Sequence, residues 1–156
     1  FLVFLNPDLD PLGAGYTITQ SKIAIGSGRL LGKGWLSGTQ NQLNFLPERH
    51  TDFIFSIIAE EWGFLGSMLI LSLYFLLIWR MIKISSKIND PFGRFICIGI
   101  SAFLSFQILI NIAMTCGMMP VVGLPLPFIS YGGSFLLLSF FCIGVVLNIS
   151  KQRIIF

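Results

Sequence analysis

Residues 62–79 read WGFLGSMLILSLYFLLIW, an uncharged run of 18 residues between Glu61 and Arg80. At the 1.5 Å rise of an α-helix this run covers about 27 Å, close to the roughly 30 Å hydrocarbon core of a bilayer. The run therefore predicts a transmembrane helix, which we place at residues 54–79.

The chain as a whole shares this apolar character. Of its 156 residues, 54% are hydrophobic and 11% are charged, whereas a soluble domain carries about 25% charged residues. The composition excludes an ordinary soluble enzyme, and it is too apolar for a disordered chain. The net charge of +3 forms no basic stripe interleaved with aromatic residues, so we predict no nucleic-acid partner.

The charge-free stretch after Arg94 is too long for one helix. It is interrupted by PVVGLPLP at residues 120–127, and proline ends helices because it lacks a backbone donor. We therefore predict two further spans, at residues 95–116 and 134–150. Residues 1–5 read FLVFL and predict the end of an earlier span. The expected fold is an all-α polytopic membrane protein, of which this chain is the C-terminal fragment.

Lysine and arginine predict the orientation of the spans. Residues 117–133 contain no basic side chain, whereas segments 80–94 and 151–156 contain Arg80, Lys83, Lys87, Arg94, Lys151 and Arg153. Because basic loops stay in the cytoplasm, we predict that segments 80–94 and 151–156 are cytoplasmic. Residues 6–53 and 117–133 then lie together outside the membrane.

The long outer segment, residues 6–53, exceeds the length of about 15 residues at which structureless loops become uncommon. We predict a folded extracytoplasmic element with short interfacial helices at residues 16–25 and 40–45. Its glycines match neither a phosphate-binding loop nor a dinucleotide fingerprint, because Gly34 follows Lys33 and Leu31 replaces a required glycine or alanine. We attribute these glycines to turns that need a positive φ.

The densest ionisable cluster lies just before the first span, in the sequence PERHTDF, and comprises Glu48, Arg49, His50 and Asp52. Helix capping by Thr51 or Asp52 is one interpretation. A cap alone does not explain the neighbouring arginine, histidine and glutamate. In the functional interpretation Asp52 is a general base at the water–lipid boundary, and Arg49 and His50 meet an anionic group.

Other polar residues fall within the predicted spans. On one helix Glu60 and Glu61 would lie about 12–13.5 Å beyond Asp52, farther than the roughly 5–9.5 Å between paired carboxylates in glycoside chemistry. Structural pairing with a further helix and catalysis both stay open for them. Gln107 and Asn111 share one helix face, which favours interhelical hydrogen bonds over the lining of a substrate groove.

Three stretches together resemble the SEDS family (shape, elongation, division and sporulation), and the resemblance covers about residues 6–153. They are GTQNQLNFLPERHTDFIF at 38–55, EEWG at 60–63 and PVVGLPLPFISYGGS at 120–134. GTQ at 38–40 and VVG at 121–123 are similar to the rod-shape branch of the family. Arg29 departs from the pattern, since a glycine usually stands there.

The resemblance implies a ten-span inner-membrane peptidoglycan glycosyltransferase that acts in cell-wall elongation with a class B penicillin-binding protein. The substrate would be lipid II, a disaccharide-pentapeptide on undecaprenyl diphosphate. The family's essential aspartate maps onto Asp52, which would deprotonate the acceptor sugar. Arg49 and Lys33 would offset the charge of the leaving diphosphate. The other substrate contacts that we expect are Glu48, His50, Gln42, Ser130 and Tyr131.

Two other functions and one cofactor question stay open. A lipid II flippase and a non-catalytic scaffold for a penicillin-binding protein would also use several spans and inward polar residues. The three cysteines and the single histidine are too scattered to predict a metal site. The diphosphate leaves room for a divalent cation, Mg²⁺ or Mn²⁺. We expect the segment 117–133 to border the site.

Overall fold

The fold consists of four helices in the computed structural model, which describes residues 14–35, 37–38 and 51–152. These helices are α1 (Ala14–Ser27), α2 (Ile54–Ser85), α3 (Pro91–Thr115) and α4 (Gly133–Gln152). Within the described ranges no residue lies in a strand. The all-α prediction is confirmed.

Helices α2, α3 and α4 are each long and apolar enough to cross a membrane, so the three predicted spans are confirmed. They extend beyond the predicted bounds, because α2 continues to Ser85 and α3 begins at Pro91. Only residues 86–90 connect them, where we had expected a loop over residues 80–94. Lysine and arginine are good helix formers, and Asp90 starts α3 by accepting a hydrogen bond from Gly93 N at 2.8 Å.

Helix α1 lies within the predicted outer segment and confirms the expected helix at residues 16–25; the expected helix at residues 40–45 lies outside the described residues. It packs against α2 and α3. The Ser21 hydroxyl donates to Thr115 O at 2.6 Å, and its oxygen lies 2.6 Å from Ser56 Oγ. Three helices are thus joined near the start of α2 and the end of α3.

The segment 120–127 folds back onto the bundle between α3 and α4. Leu126 is fully buried in a cluster with Phe55, Tyr74 and Ile108. The Tyr74 hydroxyl donates a hydrogen bond of 2.5 Å to Pro127 O. These contacts bring the Pro/Gly-rich segment to the same end of the bundle as the start of α2.

Candidate functional site

Asp52 lies in a turn at residues 51–53, immediately before α2. Its side chain is 8% exposed. The residue that caps α2 is Phe53, and it makes no side-chain cap hydrogen bond. The capping interpretation named Thr51 or Asp52, one or two residues before this position, and it stays a prediction.

Asn111 fixes the backbone of Asp52 from the side of α3. Its amide nitrogen Nδ2 donates to Asp52 O at 2.9 Å and to Leu124 O at 2.6 Å. Asn111 is fully buried, so neither bond competes with bulk water. One amide group thus joins the acidic turn, α3 and the 120–127 segment.

Ser130 fixes the neighbouring peptide from the other side. Its hydroxyl donates to Thr51 O at 2.5 Å and accepts a hydrogen bond from Leu126 N at 2.7 Å. Ser130 is buried, and these two bonds use its hydroxyl as both donor and acceptor. Ser130 therefore holds the backbone in place, whereas the sequence had predicted a substrate contact.

Gly123 lies against the Asp52 carboxylate. A Cβ added at this glycine would lie 3.3 Å from Asp52 Oδ2, and its φ of +72° is one that side chains rarely adopt. Asp52 is thus bounded by the 120–127 segment, and its backbone is fixed by Asn111. Two stretches that are far apart in the sequence meet at one carboxylate.

Glu60 has a partner within this chain. It is fully buried, and its Oε1 lies 2.7 Å from Lys33 Nζ. A Cβ added at Gly38 would lie 2.9 Å from Glu60 Oε2, so the start of the GTQ stretch packs on the same carboxylate. The pairing differs from the role predicted for Lys33, because Glu60 already offsets its charge. Of the two interpretations left open for Glu60, the pairing one had the partner on a further helix, whereas Lys33 lies in a loop.

Helix α2 is broken at Gly63, which has φ +64° and ψ −159°. The loop at residues 28–34 replaces the helical hydrogen bonds that the break removes. We call the loop and the broken turn the glycine joint. Its four backbone bonds are Lys33 N to Glu60 O (3.0 Å), Gly34 N to Glu61 O (3.0 Å), Phe64 N to Arg29 O (2.9 Å) and Leu65 N to Leu30 O (3.2 Å).

Three glycines allow the two backbones of this joint to touch. An added Cβ would lie 1.8 Å from Ala59 O at Gly28, 2.0 Å from Glu61 O at Gly32, and 2.2 Å from Gly32 N at Gly63. The predicted positive φ is found at Gly32, whereas Gly28 is needed for close approach. This joint was not predicted from the sequence; the four-residue spacing of Gly28 and Gly32 is the signal that indicates it.

Of the remaining predicted site residues, one is exposed, one is buried and four lie outside the described residues. Tyr131 is exposed on a groove of about 530 Å³ that also contains Ile54 and Phe128. Gln107 is buried, and in the described part of the chain its Oε1 has no hydrogen-bond partner. The predicted contacts that lie outside the described residues are Gln42, Glu48, Arg49 and His50.

A family model described as "Cell cycle protein" (FtsW/RodA/SpoVE) matches residues 1–154. The peptidoglycan glycosyltransferase MrdB of Escherichia coli (strain K12) is 53% identical over 152 residues, which are 97% of this chain and 41% of that protein. The peptidoglycan glycosyltransferase RodA of Treponema pallidum is 43% identical over 153 residues, 98% of this chain and 35% of that protein. The chain thus spans about two fifths of the length of these relatives.

Two solved structures share the fold. A chain of a peptidoglycan synthase complex matches with a TM-score of 0.81 and 36% identity, over 97% of this chain and 40% of that chain. The rod shape determining protein RodA of Thermus thermophilus, crystallised as an aspartate-to-alanine mutant, matches with a TM-score of 0.67 and 31% identity, over 97% and 53%. With the family model covering nearly every residue, this chain belongs to the FtsW/RodA/SpoVE family of cell cycle proteins, the SEDS family that its motifs resemble.

Proposed function

We propose that this chain carries the catalytic carboxylate of a peptidoglycan glycosyltransferase and that Asp52 is its general base. The observation that carries the proposal is the convergence of α3 and the 120–127 segment on Asp52, whose side chain is nearly buried. The backbone carbonyls of Asp52 and of the preceding Thr51 accept hydrogen bonds from Asn111 and Ser130. Relatives that match almost the whole chain are named for this activity.

The proposed substrate is lipid II, polymerised at the outer face of the cytoplasmic membrane during cell-wall elongation. Asp52 stands where the apolar helix α2 begins, so a sugar attached to a membrane-embedded lipid would meet it at the bilayer edge. Lys83 lies in the last turn of this helix and Lys87 just beyond it, so the positive-inside rule favours a cytoplasmic position for that end.

In the proposed reaction, Asp52 removes the proton from the 4-hydroxyl of the acceptor sugar as that oxygen bonds to the donor's anomeric carbon. The bond from this carbon to the diphosphate oxygen breaks, and the lipid diphosphate leaves with the electron pair. Arg49 would offset the charge on the leaving group, because a guanidinium pairs well with phosphate oxygens. The fixed backbone around Asp52 keeps its carboxylate in position for the transfer.

A class B penicillin-binding protein and the elongation machinery are the proposed partners, and the match to a peptidoglycan synthase complex supports them. Among the described residues, no group of three or more histidine, cysteine or acidic side chains is placed to hold a metal ion. Mg²⁺ or Mn²⁺ at the diphosphate therefore stays a proposal, and no reaction step is assigned to it.

The test is glycan polymerisation from lipid II by the native protein that contains this chain, purified with its penicillin-binding partner. We expect Asp52→Asn to lower turnover by about 10²- to 10⁴-fold, the usual contribution of a general base. Asp90→Asn is the matched control, because asparagine caps a helix as well as aspartate does and Asp90 lies at the other end of the bundle.

Unchanged turnover in a folded Asp52→Asn variant would overturn the base assignment. If this variant also left partner binding and glycan synthesis intact, the scaffold alternative would gain support. Vesicles containing fluorescent lipid II test the remaining alternative, because a flippase would move the lipid between leaflets without forming polymer.

A further inference from the structure

The loop at residues 29–35 exposes large apolar side chains. Leu30 is 68% exposed, Leu31 is 78% exposed and Trp35 is 70% exposed. Exposed apolar residues grouped in one loop mark an interaction surface. The surrounding contacts indicate which partner this surface fits.

Hydrogen bonds fix the depth of this loop along α2. Phe64 N donates to Arg29 O at 2.9 Å, and Leu65 N donates to Leu30 O at 3.2 Å. Residues 64 and 65 lie three and four positions past Glu61, the last charged residue before the uncharged run. The leucine pair is therefore held beside the start of the uncharged run, next to the break at Gly63.

Tryptophans mark both ends of the apolar segment. Trp35 of the loop packs on Trp62 with ring centroids 5.9 Å apart. At the other end, Lys83 Nζ lies 4.9 Å from the centroid of the Trp79 ring. Tryptophan is enriched at membrane–water interfaces, so the Trp35–Trp62 pair favours an interfacial position for this loop.

The backbone of the loop at residues 29–35 is suited to contact with lipid. A bilayer tolerates irregular backbone where its polar groups are satisfied, and the glycine joint pairs four backbone groups of this loop, two N–H and two C=O. Lys33 pairs with Glu60, whereas Arg29 is exposed beside the leucines. Its φ of +50° is a conformation that favours glycine, and such outliers occur at functional positions.

We propose that residues 29–35 form a membrane anchor in the leaflet on the Asp52 side. Leu30 and Leu31 enter the acyl region, and the Arg29 guanidinium binds the phosphate of an anionic phospholipid headgroup. Arginine suits this position because its long apolar stem reaches up from the hydrocarbon edge while its planar group pairs with phosphate oxygens. The proposal does not depend on the catalytic role of Asp52.

The first test uses a bimane label on a Leu31→Cys variant of the native protein, with Cys97, Cys116 and Cys142 replaced by alanine. The protein is placed in vesicles of phosphatidylethanolamine and phosphatidylglycerol. We expect acyl-brominated lipids to quench the label strongly and aqueous iodide to quench it weakly. A Ser86→Cys label, between α2 and α3 on an exposed residue, should show the reverse. Quenching at position 31 by iodide alone, or by neither agent, would overturn the proposal.

The second test asks whether Arg29 selects the headgroup. Quenching at position 31 is compared between brominated phosphatidylglycerol and brominated phosphatidylcholine. We expect Arg29→Gly to lower the preference for phosphatidylglycerol by about fivefold, since one basic residue near an anionic surface contributes about 1 kcal/mol. Arg29→Lys should keep most of the preference. An unchanged preference in Arg29→Gly would overturn the phosphate contact.

Discussion

The turn at Asp52 and the glycine joint at Gly63 are both irregular segments fixed against helices, but they are fixed by different means. At Asp52, the side chains of Asn111 and Ser130 hold consecutive backbone carbonyls. At Gly63, backbone bonds and glycine contacts hold the loop at residues 28–34 to α2.

This difference determines what each region tolerates. A side-chain contact fails when a donor is removed, and the cost is that of one or two buried hydrogen bonds. A contact between two backbones fails when any side chain is added, because neither backbone can move aside without breaking its own bonds. We therefore expect the glycine joint to be the more sensitive of the two regions.

The largest effect is expected from Gly32→Ala. The new Cβ would lie 2.0 Å from Glu61 O at a φ of +81°, so steric overlap and backbone strain act together. We expect the free energy of unfolding to fall by about 4 kcal/mol, measured by denaturant titration in mixed micelles.

Gly26→Ala is the matched control for that experiment. Gly26 lies in α1, and a Cβ there would meet nothing within 4 Å. Alanine should leave the free energy of unfolding unchanged or raise it by up to about 1 kcal/mol. Equal stability of the two variants would show that the joint is not closely packed.

An intermediate effect is expected from Lys33→Met. This change leaves the fully buried Glu60 carboxylate without its lysine, which typically costs about 3 kcal/mol. The Lys33→Met/Glu60→Gln double variant should recover most of the loss, because no buried charge is then left without its counterion. A double variant as unstable as Lys33→Met would contradict the charge explanation.

The smallest change in stability is expected from Asn111→Ala, which removes the donor to Asp52 O and Leu124 O. We expect a loss of about 2 kcal/mol together with a roughly tenfold fall in kcat and little change in KM, because the carboxylate is less well positioned. Ser105→Ala is the control on α3, since its hydroxyl donates to Ser101 O of the same helix. A proportional loss of kcat in both variants would point to general instability instead.

The three spans were predictable because each is a long apolar run, and the polar face of α3 followed from residue spacing. The bonds made by Asn111 agree with its expected interhelical role. The sequence also indicated a helix at residues 16–25. All of these signals depend on residues close together in the chain.

What the sequence did not reveal depends on partners far apart in the chain. The pairing of Lys33 with Glu60 and the contact of Gly28 with Ala59 each join residues about thirty positions apart. Spacing rules for one helix do not indicate such contacts. The positive φ of Arg29 was unexpected for the same reason, because two hydrogen bonds from α2 fix the loop around it.

The break at Gly63 also bears on how the protein is made. Residues 29–34 supply the hydrogen-bond partners of four backbone groups in the membrane helix α2. The ribosome synthesises these residues earlier than residues 60–65. A helix interrupted in this way would expose unsatisfied peptide groups to lipid unless the earlier segment were paired with it. Stable integration of α2 is therefore expected to depend on pairing with the loop at residues 28–34.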